Sequence, residues 1–311
     1  MRSGPFSLLC LVCFLLLLGL RFLLPGVAGK VEAAVAPSSS ESMAVPPKPE
    51  GMEAPEAPVD AEGSGQGRLS AEACEGLATD VQDICWQALA RQQGAVDPEA
   101  ALALCPKIQD KELRLECSSD VAEAVAPVNR QRAEQICDSI DSVKWRGQCH
   151  FGTGLALAEL DPGYAMGRCD HAEIFKLFCR HDVVGEIALV NVEFAVQTCA
   201  KEEGGELQRK TCWHGIGKYL ARRDMTEAEQ ACNRTTPQWV SNCYHGLGWG
   251  AAERDVEAAL KGCEKFGSWR ENCRQGVAHQ QKRVDPDRAL SLCQSIVDER
   301  IRTRCIDFVS R

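Results

Sequence analysis

Two hydrophobic patterns divide the chain. The first is one apolar block near the N-terminus, Phe6 to Leu24, interrupted by Ser7, Gly19 and Arg21. The second begins near residue 69, where apolar side chains recur at helical spacing in blocks of about 31 residues. Cysteines mark the blocks. Cys74, Cys105, Cys137, Cys169, Cys199, Cys232, Cys263 and Cys293 lead each pair, and Cys85, Cys117, Cys149, Cys179, Cys212, Cys243, Cys273 and Cys305 trail it. Every trailing cysteine stands 20 residues before the next leading one, while the gap within a pair runs from 10 to 13. A period of 30 to 33 residues is the length of a helix–turn–helix repeat.

Other positions keep this register. The twelfth residue after a trailing cysteine is Asp97, Asn129, Asp161, Asn191, Asp224, Asp255 or Asp285. These short polar side chains cap helix N-termini. Pro98, Pro162 and Pro286 follow three of them, as suits a first helical position. The sixteenth residue is always alanine (Ala101, Ala133, Ala165, Ala195, Ala228, Ala259, Ala289), four before the leading cysteine and on its face. Four before the trailing cysteine stand Val81, Leu113, Trp145, Phe175, Trp239, Trp269 and Ile301, with Gln208 the exception. The pattern predicts one helix of about 14 residues through each trailing cysteine, such as 80–93, and a second from each Asp/Asn cap to just past the leading cysteine. No segment reads as a strand. One hairpin cannot bury its own apolar face, so the hairpins stack. The expected fold class is all-α, an α/α solenoid of seven to eight hairpins, with partial caps near 69–84 and 294–311.

Composition adds the compartment. The chain has 311 residues and 18 Cys, and a cytosolic protein seldom carries so many. Arg2, the apolar block and Gly26-Val27-Ala28 form the layout of a signal peptide. The same block is just long enough to remain as a membrane anchor. Either way the repeats are expected outside the cytoplasm, and Cys10 and Cys13 leave the disulfide arithmetic. Residues 30–68 are rich in Ala, Pro, Glu, Ser and Gly and are expected to be a disordered spacer. The expected organisation is therefore 1–29 signal peptide or anchor, 30–68 linker and 69–311 repeat domain. The net charge is −9, which divides as +3 in 1–30, −5 in 31–68 and −7 in 69–311. An acidic domain does not suit nucleic acid.

Two pairing schemes fit a hairpin. Joining each trailing cysteine to the next leading one orphans Cys74 and Cys305. Joining each leading cysteine to its own trailing one uses all sixteen, and parity favours it.

The copy from Cys243 (Tyr244-His245-Gly246-Leu247-Gly248-Trp249-Gly250), running through Asp255 and Ala259 to Cys263, resembles a Sel1-like or tetratricopeptide-type α/α repeat of the cysteine-rich, disulfide-stapled variety. The likeness covers roughly 74–305 and is architectural. These repeats are shorter, and the Leu-Gly and Tyr signature is not kept. It implies a protein that binds partners rather than an enzyme.

Candidate chemistry is concentrated in the later repeats. His181, His214 and His245 each lie two residues after a trailing cysteine, followed in the last two by Gly215 and Gly246. Recurrent glycine inside a helix costs stability, so it points to close approach of a neighbouring helix or a ligand. Trp213, His214, Tyr244, His245 and Trp249 are the expected contact face, because aromatics are enriched at binding hot spots. Packing and local hydrogen bonding are the competing explanation for the same residues. Zinc at His181, His214 and His245 is an alternative, since Cys-x-His pairs suit that metal. Against it, the cysteines are explained by pairing, and helices stacked 8–10 Å apart would hold the rings too far apart. His150, His171 and His279 are out of register and read as surface or packing residues. No serine-hydrolase elbow, zincin or phosphate-loop motif occurs, so no catalytic residues or cofactor are assigned. An enzyme with an unrecognised site is the remaining alternative. Asn233-Arg234-Thr235 matches a glycosylation sequon.

Overall fold

The computed structural model describes residues 69–311, Glu203 excepted. The segments read as signal peptide or anchor and as linker lie outside the described residues. The described chain is all-α, with helices connected by short turns and no strand. The odd-numbered helices are α1 (Ala71–Glu75), α3 (Pro98–Leu102), α5 (Arg130–Asp138), α7 (Pro162–Arg168), α9 (Val192–Lys201), α11 (Met225–Cys232), α13 (Val256–Cys263) and α15 (Pro286–Gln294). The even-numbered helices are α2 (Thr79–Gly94), α4 (Lys111–Val125), α6 (Val143–Leu157), α8 (Lys176–Val190), α10 (Glu206–Arg223), α12 (Val240–Ala252), α14 (Arg270–Gln281) and α16 (Glu299–Val309). Each even helix carries a trailing cysteine.

Local chemistry sets the helix starts. All seven Asp/Asn caps accept a backbone N–H from the residue three further on, from Asp97 with Ala100 to Asp285 with Arg288. Each such bond satisfies one of the unpaired donors of a first helical turn. The eight disulfides join every leading cysteine to its own trailing one, with Cα–Cα distances of 5.3 to 5.7 Å. They staple each odd helix, or the turn directly after it at Cys105 and Cys169, to the even helix that follows. An arginine three before the trailing cysteine closes several of these loops: Arg114, Arg146 and Arg302 each donate to the carbonyl six residues earlier. Gly267 sits at a kink before α14 with φ of 50°, a conformation that a side chain disfavours.

Consecutive even helices pack against one another along the whole array, whereas each odd helix after α1 packs on the even helices before and after it. The even helices therefore form the inner layer. The seven register alanines are all buried, 0–1% exposed, which lets the layers close together. Of the apolar residues four before the trailing cysteine, Trp145, Trp239 and Ile301 are buried. Val81 is 49% exposed, on the first described repeat, where no earlier even helix among the described residues covers it.

Eight intrachain disulfides indicate an oxidising, extracellular-type environment for this domain. No helix among the described residues is long and apolar enough to cross a membrane.

Candidate functional site

The inner layer brings four histidines into one line. His181 on α8, His214 on α10, His245 on α12 and His279 on α14 join ring to ring. Nε2 of His181 lies 2.8 Å from Nδ1 of His214, Nε2 of His214 lies 2.9 Å from Nδ1 of His245, and Nε2 of His245 lies 2.9 Å from Nδ1 of His279. At the near end, Nδ1 of His181 bonds the Asp182 carboxylate.

Asp182 fixes the direction of the whole chain. An ionised carboxylate only accepts, so Nδ1 of His181 donates to it and Nε2 of His181 accepts. Nδ1 of His214 must then donate to His181, and the same choice passes to His245 and His279. Every neutral ring is thus the Nδ1–H tautomer. The last atom, Nε2 of His279, is left as an acceptor. It is buried and has no hydrogen-bond partner.

Glycine makes this geometry available. A Cβ on Gly215 would lie 2.2 Å from the His181 carbonyl oxygen. On Gly246 it would lie 2.1 Å from that of His214, and on Gly276 2.0 Å from that of His245. No side chain fits, so α10, α12 and α14 each rest directly on the backbone of the even helix before them. Neighbouring rings therefore come within 2.8 to 2.9 Å of each other, although the helix spacing was expected to hold them too far apart to share one metal ion.

Aromatic groups wall the line. Trp249 stands edge-on to His214 at 5.9 Å between ring centres, Tyr219 edge-on to His181 at 6.1 Å, and Phe308 stacks on His279 at 4.0 Å. Desolvation, followed by the neighbouring rings and Lys218, holds His214 well below the ordinary imidazole range. Desolvation lowers His245 to about 3 and His279 to about 4, with smaller contributions from neighbouring positive charge. These rings are therefore neutral at physiological pH. Burial pushes Asp182 up, but its bonds from His181 and Tyr219 and the nearby Lys218 outweigh that and leave it lowered.

Of the expected contact face, His214, His245 and Trp249 line a groove of about 400 Å³ over α10, α12, α14 and α16. Trp213 and Tyr244 do not. Both are 2% exposed and belong to the core, where the Tyr244 hydroxyl donates to Asn233 and its ring packs on Phe266 and Trp269. One position along a helix rotates a side chain by about 100°, which carries these two away from the histidine face. His279, read from sequence as out of register, completes the line. It sits four residues after Gln275, the register position of α14, and so shares its face. His150 is buried and bonds Asp138, and His171 lies beside it at 5.3 Å between ring centres.

The zinc alternative loses its thiolates to the disulfides. His214 also spends opposite ring nitrogens on opposite neighbours, so three rings do not converge. Among the described residues no group of three or more His, Cys, Asp and Glu side chains is arranged to hold a metal ion.

No family model, curated protein or solved structure significantly matches this chain. Its function is therefore read from the groove itself.

The groove is lined by polar and apolar side chains together and by no carboxylate. Lys210 and Arg304 supply positive charge, Asn242, Asn272 and Gln275 supply amides, and Leu207, Trp249 and Phe308 supply apolar surface. Lys210 pairs with Glu206 at the rim, whereas Arg304 forms no ion pair among the described residues. Leu207 and Phe308 are 59% and 41% exposed.

The other end of the inner layer is acidic. Asp120 and Glu123 lie on α4, 4.0 and 3.9 Å from Arg91. Burial, then the Asp120 charge, raises Glu123 to about 7 against the pull of Arg91. The folded carboxyl thus holds its proton to higher pH than the unfolded one. Stability contributed by the protonated form is lost as pH rises from about 4.5 to about 7. Glu123→Gln should therefore raise the melting temperature by a few degrees above neutral pH and leave it little changed below about pH 4.5. Thermal scans of both proteins across that range check this, and a constant difference at all pH values would contradict it.

Proposed function

We propose that the protein is an exported interaction scaffold whose inner groove binds an acidic segment of a protein or peptide. The groove's charge carries this reading. In a domain of net charge −7, one groove presents Lys210, Arg304 and three amides with no carboxylate, beside exposed Leu207 and Phe308. Such a surface complements carboxylates flanked by apolar side chains, and charge complementarity steers and selects partners. The extended inner face of a helical repeat array is its usual binding element, in keeping with the likeness to Sel1-like and tetratricopeptide-type repeats. Export is supported by the signal-type N-terminal sequence and the eight bridges, and a retained anchor would leave the groove facing outward.

The test is fluorescence anisotropy with an end-blocked hexaglutamate peptide and its hexaglutamine counterpart. The acidic peptide should bind, more weakly at high salt, and the amide peptide should not. Lys210→Glu with Arg304→Glu should weaken binding at least about tenfold while the melting curve is kept, because both side chains sit at the rim. Equal binding of the two peptides, or none of either, would refute the reading.

A further inference from the structure

The histidine line contains more than an acidic ligand needs for charge pairing. Its last residue, His279, lines the groove and is only 9% exposed, and its Nε2 is buried with no partner. In the neutral chain that atom is an acceptor, and a carboxylate has nothing to donate to it. The two can meet only if Nε2 gains a proton.

We infer that the four-histidine line couples binding in the groove to the uptake of one proton from solvent. This rests on the acidic-ligand reading above. The balance is simple. A proton from water forms a new N–H at Nε2 of His279, which now donates to the ligand carboxylate. His279 releases its Nδ1 proton to Nε2 of His245, His245 releases its own to His214, and His214 releases its own to His181. No ring-to-ring bond is lost, since each simply reverses its donor. His181 ends with both nitrogens protonated, its Nδ1–H still on Asp182. One proton has entered, and the positive charge stands beside an anion one ring-line away from the ligand.

The surrounding charges favour that route. Lys282 lies 4.6 Å over Phe308 and opposes a charge left on His279, and Arg304, which lines the groove, opposes one left on His245. Lys218 lies nearer His214 and Asp182 and pairs with Glu253. At the far end Asp182 bonds His181 directly, with Glu186 one turn further along α8 and Tyr219 beside them, while Arg222 pairs with Glu253. The line therefore moves positive charge from a cationic end to an anionic one. His214, His245 and His279 are neutral near pH 7 in the free protein, so a proton reaches their part of the line with the ligand.

Titration calorimetry of the full oxidised chain with end-blocked hexaglutamate, in two buffers of different ionisation enthalpy, counts protons taken up. About one should enter per peptide near pH 7, and affinity should rise about tenfold per pH unit lowered between roughly pH 8 and 6. Nitrogen NMR of ring-labelled histidine should show His279 pass from Nδ1–H to Nε2–H on binding, which no titration of the remote Glu123 would produce. Asp182→Asn should flatten the pH profile and remove the uptake. Binding without uptake, with His279 unchanged, would overturn the coupling and leave the acidic-ligand reading intact. Absence of binding to this peptide would overturn both.

Discussion

Full reduction of the protein will cost it its helical fold at ordinary temperature. Each bridge closes a loop of 10 to 13 residues. In the chain-entropy description a loop of that size restricts the unfolded chain by on the order of 3 kcal/mol. Eight such restrictions exceed the roughly 5–15 kcal/mol by which a whole domain is ordinarily stable. The odd helices are short, Pro98–Leu102 spanning five residues, and could not persist without a partner to hold them. All sixteen cysteines are buried, so reductant alone should act slowly on the native protein. The measurement is far-ultraviolet dichroism after unfolding in reductant and return to native buffer, beside an oxidised control. The oxidised chain should recover its signal and the reduced chain should not. Recovery of both would show that helix packing suffices. Removing Cys199 and Cys212 together should lower the melting temperature more than removing Cys74 and Cys85, because a central repeat supports neighbours on both sides.

Gly246→Ala should destabilise the protein even though alanine is the better helix former. The exchange gains roughly 0.5–1 kcal/mol in helix propensity. Against this, the new Cβ would stand 2.1 Å from the His214 carbonyl oxygen, a backbone atom that cannot rotate aside. Overpacking of this kind costs about 1–3 kcal/mol, which is larger. A fall of several degrees in melting temperature is expected. Gly167→Ala is the control: nothing lies within 4 Å of its added Cβ, so the propensity gain should appear alone and raise stability. The Gly246 variant should also separate α10 from α12 and break the bond between His214 and His245. Ring-nitrogen NMR should then report the two rings as uncoupled. Equal stabilisation by both substitutions would mean that the helices are not in backbone contact.

These two outcomes depend on different kinds of information. The bridges, the repeat length and the helix starts were legible in the sequence because each rests on neighbours in the chain. A cap bond reaches three residues, as from Asp255 to Ala258, and a bridge reaches 10 to 13. Period and parity were enough to find them. The recurring arginine three before the trailing cysteine also had a register signal, at Arg114, Arg146 and Arg302, but only the structure shows which carbonyl each one meets.

The site was legible only in part. His181, His214 and His245 announced themselves by register, and Gly215 and Gly246 signalled a close approach. The sequence by itself determined that these residues repeat. Tertiary structure decided where they point. Trp213 and Tyr244, each one place from a line histidine, turned into the core, while His279, four places beyond the register position, turned toward the line. A helix turns about 100° per residue, so +1 and +2 are different faces and +2 and +6 are nearly one. Which face becomes the groove is set by how the neighbouring helix lies. That was set in turn by glycines resting on carbonyl groups more than 30 residues away in the chain, a contact that no local pattern encodes.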